Sequence, residues 1–173
     1  MSQPAAQVPR VITVTVSDTR TAADDTSGKA LMDELQSASI ALGRHVIVPD
    51  EPDRIAEIVR EVVTSNEADA IVFTGGTGIA PRDLTYETLS SLFDKTLDGF
   101  GEAFRRLSWD EIGPRAILSR ATAGTVGTCI VFSLPGSEKA VRLGARALIA
   151  PVLGHAVDLV NGRTKHGHHR SKP

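Results

Sequence analysis

This chain lacks most of the marks of a secreted, membrane-spanning or nucleic-acid-binding protein. Cysteine occurs once, at Cys129. No disulfide can form within the chain, which makes a reducing cytoplasm the expected location. Cys129 sits in an apolar run and reads as a buried core thiol. Neither charge sign dominates: 19 Lys and Arg stand against 21 Asp and Glu. With a pI near 6.2, neither nucleic acid nor an anionic membrane is an expected partner. No apolar run approaches the roughly 20 residues of a bilayer span. Residues 1–9 have no basic segment followed by an apolar one, so no secretory signal is expected there.

Two familiar glycine motifs are also missing. No Gly-Lys-Ser/Thr closes a Walker-type loop. Gly76-Thr77-Gly78 starts like a dinucleotide fingerprint, but Pro81 stands where the third glycine belongs, so the close helix–strand packing it permits is not available.

What is present centres on Ile71-Val72-Phe73-Thr74-Gly75-Gly76-Thr77-Gly78, followed by Arg82 and Asp83. A strand-like run breaks into three glycines just before a helical pattern. A glycine turn at that junction aims several N–H groups at one spot and suits an anion; a ligand-free βα turn is the plainer alternative. Asp83 would repel a phosphate unless a divalent cation lay between them, as Mg²⁺ does with one or two carboxylates and substrate phosphates. Otherwise Asp83 is a helix N-cap, with Thr85 as its rival. Asp50 follows another strand pattern and is either a helix start or a second carboxylate facing the same cleft. Asp18 and Arg20 are secondary candidates at the end of the first strand.

With 173 residues, 41% of them hydrophobic, the chain fits one domain, expected over residues 10–160 with flexible ends at 1–9 and 161–173. Strands are expected at Val11–Val16, His45–Val48, Ala70–Thr74 and Cys129–Leu134. Gly43 is expected to cap the first helix at its C-terminus, and Lys95–Asp98 to be a connector. Residues 115–118 read as a short strand or helix, and Ala121–Gly127 as a surface ribbon or loop. His45 reads as structural. Ile55, Ile58, Val59, Val62 and Val63 carry the clearest helical spacing. A second strand–turn–helix junction falls at Pro135-Gly136-Ser137, with Ser137 as the cap. His166, His168 and His169 lie in a basic tail with nothing nearby to complete a metal site. Alternation of strands and helices implies an α/β fold: a mostly parallel sheet with helices on both faces.

Taken together, these segments resemble the MogA/MoaB family of molybdenum-cofactor biosynthesis proteins over roughly residues 10–160. The resemblance rests on Thr74-Gly75-Gly76-Thr77-Gly78 with Arg82-Asp83, on Ser133-Leu134-Pro135-Gly136-Ser137, and on Gly99-Phe100-Gly101-Glu102 and Leu118-Ser119-Arg120 in the expected order between them. The run Leu107–Gly113 is more similar to the MoaB branch. The resemblance implies a molybdopterin-binding fold and adenylylation of molybdopterin by Mg-ATP, with pyrophosphate leaving. It implies Asp50 and Asp83 as the catalytic and Mg²⁺-binding acids. The glycine loop, Arg82, Ser119, Arg120 and Pro135-Gly136-Ser137 would hold substrate, and the chain would assemble as a homotrimer or homohexamer. A carrier that binds the pterin without reacting is the alternative, although a pure binder of an anionic pterin gains nothing from two acids at its phosphate end.

Overall fold

The computed structural model describes residues 8–163. The histidines of the tail and most of the N-terminal arm lie outside the described residues. Among these residues, strands β1 (Arg10–Val16), β2 (Ala41–Val48), β3 (Ala70–Thr74), β4 (Lys95–Thr96), β5 (Thr122–Val126) and β6 (Cys129–Leu134) form one sheet in the order β2-β1-β3-β6-β5-β4. The pairs β1–β2, β1–β3 and β3–β6 are parallel, and β5 runs antiparallel to both β6 and β4. Helices α1 (Thr26–Ser37), α2 (Pro52–Ser65), α3 (Thr85–Leu92), α4 (Asp98–Ile112), α5 (Glu138–Gly144) and α6 (Ala150–Val160) cover its faces.

Strand alternation divides the core in two. Ile12, Val14, Ile71, Phe73 and Val131 face α2 and α3, packing on Ile55, Val59, Val62 and Leu89. Val72, Ile130, Phe132 and Leu134 face the other helices, packing on Leu31, Leu35, Phe104, Val141 and Ile149. Phe73, Phe104 and Phe132 are fully or nearly fully buried; cutting any one back to alanine costs about 3–5 kcal/mol. The β1–α1–β2 and β2–α2–β3 connections put their helices on opposite faces and their second strands on opposite sides of β1. The chain therefore reverses direction across the sheet between β1 and β3, the point where open α/β sheets form a crevice at their strand C-termini.

Several expectations need correction. Gly43 lies inside β2, which starts at Ala41 rather than His45; α1 ends instead at Ser37, with Ala38 as its C-cap and Ser39 next in a left-handed conformation. Lys95–Thr96 is a short strand, not a connector. Ala121–Gly127 is no surface ribbon: Thr122–Val126 is a sheet strand with Ala123 wholly buried. Its small residues make room for neighbours, because a side chain on Gly124 would collide with the Phe93 ring. Residues Gly113–Leu118 form a 3₁₀ helix.

Between α5 and α6, residues Ala145–Ile149 form a π turn. Pro151 has no N–H for a regular helix bond, and the wider turn takes up the change of register. The continuous helix Glu138–Val160 is long and apolar enough, by length and composition alone, to cross a bilayer, although no unbroken apolar run in the sequence reaches that length. Its Val141, Ala145, Ile149, Leu153 and Val157 recur every four residues and are buried against the sheet, so this stripe is core.

Asp25 caps α1 by accepting from the Gly28 N–H at 2.9 Å. It also accepts from the Thr15 hydroxyl at 2.7 Å and lies 2.8 Å from His45 Nε2, whose Nδ1 is 2.8 Å from the Thr13 hydroxyl. Burial pulls the Asp25 carboxyl up, but the bonds from Thr15, Gly28 and His45 outweigh it and hold it below its ordinary value. A depressed carboxyl stabilises the fold above its unfolded pKa, near pH 4, and that contribution is lost as pH falls through the folded one. Asp25→Ala is expected to destabilise by about 2–4 kcal/mol at pH 7, through a lost cap and orphaned donors. In thermal unfolding the gap from wild type narrows below pH 4; equal melting temperatures at pH 7 would contradict this.

Candidate functional site

Three chain turns meet at the strand C-termini. After β3, Gly75 (φ +106°) and Gly76 (φ +66°) both take left-handed conformations, which side-chain-bearing residues reach only at a cost. After β6 comes Pro135-Gly136-Ser137. The two turns are laced together: the Gly75 N–H donates to the Leu134 carbonyl at 3.0 Å, and the Thr74 hydroxyl donates to the Pro135 carbonyl at 3.1 Å. Gly136 abuts Gly75, whose Cα would be 3.3 Å from an added Cβ. The third turn, after β1, carries Asp18.

The two glycine turns form the floor of a cavity of about 380 Å³, within the size range of small-molecule sites. Gly75, Gly76, Thr77, Gly78, Asp83, Ser119, Pro135, Gly136 and Ser137 all line it. The remaining wall was not foreseen as a site: Phe104, Ser108, Glu111 and Ile112 from one face of α4, Leu118, and Lys139, Ala140 and Leu143 from α5. Phe104, Ser108 and Ile112 recur at four-residue steps, the signal that would have placed that face on the cleft. Ser137 caps α5, accepting from the Ala140 N–H at 3.2 Å. The cavity thus joins a polar floor of backbone and hydroxyl groups to an apolar wall, a combination suited to a flat ring system bearing an anionic group.

Thr74, Asp50, Arg82 and Arg120 do not line the cavity. Thr74 is buried beneath the floor. Asp50 lies just across Gly76: a Cβ on Gly76 would fall 2.5 Å from Asp50 Oδ2. Asp50 is 8% exposed, and its carboxylate accepts from the Leu84 N–H and the Thr85 hydroxyl, each at 3.3 Å to Oδ1. Asp50 is therefore not the cap of α2, which starts after Glu51. Nor does Asp83 cap α3: that helix starts after Leu84 with no side-chain cap, and Asp83 Oδ2 accepts from the Ala80 N–H at 2.9 Å inside its own loop. Gly78 is kept small by the same carboxylate, since a Cβ there would lie 2.5 Å from Asp83 Oδ2. Arg82 is exposed and pairs with Asp18, whose other oxygen accepts from the Asp50 N–H at 3.1 Å. Arg20 turns away, donating to the Asp24 carbonyl and the Thr26 hydroxyl. Glu102 is exposed, and Phe100 packs on Phe132 with ring centroids 5.3 Å apart.

Burial pushes the Asp50 carboxyl above its ordinary value, the charges of Asp83 and Asp18 push the same way, and the bonds from Leu84 and Thr85 oppose them. Among the described residues no group of three His, Cys, Asp or Glu side chains is placed to hold a metal. The donor set fits a hard divalent cation such as Mg²⁺, held by one or two carboxylates and completed by a ligand's phosphate oxygens, rather than a closed protein cage.

The fold and site define a class: an α/β domain with paired glycine turns and a small cavity at the sheet's switch point, beside one buried and one half-buried acid, Asp50 and Asp83. Residues 12–155 match the family described as "Probable molybdopterin binding domain". The chain is 46% identical over 156 residues to molybdenum cofactor biosynthesis protein B of Bacillus subtilis, covering 90% of this chain and 92% of that protein. A crystal structure of a molybdenum cofactor biosynthesis protein B superposes with a TM-score of 0.88 at 42% identity, covering 92% of this chain and 99% of the other. The molybdopterin biosynthesis Mog protein of Mycobacterium ulcerans superposes with a TM-score of 0.78 at 29% identity, covering 90% and 99%. The chain belongs to the MogA/MoaB family of molybdenum-cofactor biosynthesis proteins, and lies closer to the MoaB branch.

The raised Asp50 carboxyl gives a stability test. A group whose folded pKa is raised costs stability above its unfolded pKa and ceases to do so as it protonates. Asp50→Asn is therefore expected to raise the melting temperature of the metal-free protein at pH 7, with the gain shrinking as the pH falls through the raised Asp50 pKa. A lower melting temperature for the variant at pH 7 would show instead that the charged bonds to Leu84 and Thr85 dominate.

Proposed function

We propose that the chain adenylylates molybdopterin with Mg-ATP. The terminal phosphate of molybdopterin attacks the α-phosphorus of ATP, a P–O bond forms there, and the bond to the leaving pyrophosphate breaks. The observation that carries this reading is the apposition of two acids, Asp50 and Asp83, with the glycine floor of a half-apolar cavity. Transfer at phosphorus needs little beyond positioning and charge neutralisation, and this chain's groups suit both tasks. Gly76–Gly78 and Gly136-Ser137 would offer backbone N–H groups, and Thr77 and Ser137 their hydroxyls, to the reacting phosphates. Phe104, Ile112, Leu118 and Leu143 would cover the pterin ring and exclude water. Lys139, in the first turn of α5, brings a positive charge to the same wall. Asp50 and Asp83 would hold Mg²⁺, which supplies charge neutralisation at the triphosphate when bound.

The proposed assembly is a homotrimer or homohexamer acting in the cytoplasm. Exposed Trp109 at the end of α4 and Ile117 in the following 3₁₀ helix, neither of which lines the cavity, offer apolar surface for such contacts.

The test is turnover of molybdopterin with Mg-ATP by the purified protein, reading adenylylated pterin and pyrophosphate. Product is expected, and Asp83→Asn should lower its rate at least about a hundredfold, the scale of a lost electrostatic group, with pterin binding as tight or tighter. Pterin binding without product would make the chain a carrier. Full turnover by the variant would remove Asp83 from the chemistry.

A further inference from the structure

Arg120 was expected to hold substrate, yet its side chain is committed elsewhere. Its Nε and Nη2 donate to the Gly78 carbonyl at 2.9 and 2.6 Å, and Nη2 also donates to the Asp83 carbonyl at 3.0 Å. Nη1 pairs with Glu87. The guanidinium carbon lies 5.0 Å from the centre of the Tyr86 ring, within reach of a cation–π contact. The Arg120 backbone N–H donates to the Thr77 carbonyl at 3.3 Å. Four of the five N–H donors of the guanidinium have protein acceptors.

The two carbonyls it grips bound the segment Gly78–Asp83. Little else ties this segment to the body of the protein. The Asp83 N–H bond to the Ala80 carbonyl and the Ala80 N–H bond to Asp83 Oδ2 are internal to the loop. Ile79 is 68% exposed, and residues 80–82 are exposed as well. The Arg82–Asp18 pair is exposed on both sides, and pairs of that kind contribute little. Asp83 lines the cavity at one end of the segment, so whatever fixes the segment fixes the carboxylate.

We propose that Arg120 is a positioning residue: its planar fork, seated on Tyr86 and anchored by Glu87, clamps both ends of the Gly78–Asp83 loop and so sets where the Asp83 carboxylate meets the ligand. The consequence for rate rests on the transfer reaction proposed above; the clamp itself does not. Lysine would preserve a point charge for a phosphate but not a fork able to take two carbonyls and a carboxylate together. Arg120→Lys therefore separates clamping from substrate binding.

The experiment is hydrogen exchange of the ligand-free protein, read on peptides covering residues 78–83, for wild type, Arg120→Lys, Tyr86→Ala and Glu87→Gln. It is paired with steady-state kinetics of the same proteins. Exchange of the loop amides should rise about tenfold or more in Arg120→Lys, the factor for one lost charge-assisted bond, and by less in the other two variants, while the β3 and β6 amides stay protected. kcat should fall by a similar factor, with KM for pterin and ATP held within about threefold, as for an interaction felt only in the transition state. Unchanged loop exchange in Arg120→Lys, or a KM rise with kcat intact, overturns the clamp and returns Arg120 to substrate binding. Should Arg120→Lys fail to fold, Tyr86→Ala and Glu87→Gln decide on the same readout. If wild type transfers nothing, the proposed reaction fails alone, and loop exchange still decides the clamp.

Discussion

The site depends on a carboxylate taken out of water at the end of β2. Asp50 is nearly buried, and its carboxylate accepts from the Leu84 N–H just before α3 and from the Thr85 hydroxyl at its start, rather than capping its own helix. That bond ties the β2 terminus to the far end of the glycine loop. It leaves space for nothing but a bare backbone at Gly76. Burying a charge this way is costly unless it is bonded and, in the working state, neutralised. The raised Asp50 carboxyl is the local sign of that cost.

Much of the architecture was legible because it is written in local pattern. Val11–Val16 and Ala70–Thr74 are strand-like runs that the sheet uses in parallel, and the stripe Ile55, Val59 and Val62 is buried as its spacing implies. Other parts were decided by tertiary contacts that no window of sequence displays. Thr122–Val126 carries small residues that look like a loop until Phe93 packs against Gly124. His45 appears isolated in sequence, but parallel pairing of β2 with β1 brings it to Thr13, and α1 brings Asp25.

The glycine turns could be identified as floor elements because each follows a strand that must end at the same sheet edge. Their mutual bonding through Thr74 and Pro135 was not visible, nor was the opposing wall of α4 and α5. Local reasoning treated Asp83 and Asp50 as possible caps; the structure removes that role from both, since α3 starts after Leu84 and α2 after Glu51. A surface acid that caps a helix needs no further explanation. Asp83 lines the cavity without capping a helix, and Asp50 lies just across Gly76, bonded to the start of α3; the proposed shared cation would give both acids a common role.

The proposed role of these acids is to serve a metal-bound phosphate ligand. It is tested most directly by calorimetric titration of ATP into the wild-type protein and into Asp50→Ala, each with and without Mg²⁺. Tight binding by wild type only when Mg²⁺ is present, with that dependence weakened in Asp50→Ala, is the predicted result. The same Mg²⁺ dependence in both proteins would contradict it, and would leave Asp50 as a structural tie between β2 and α3.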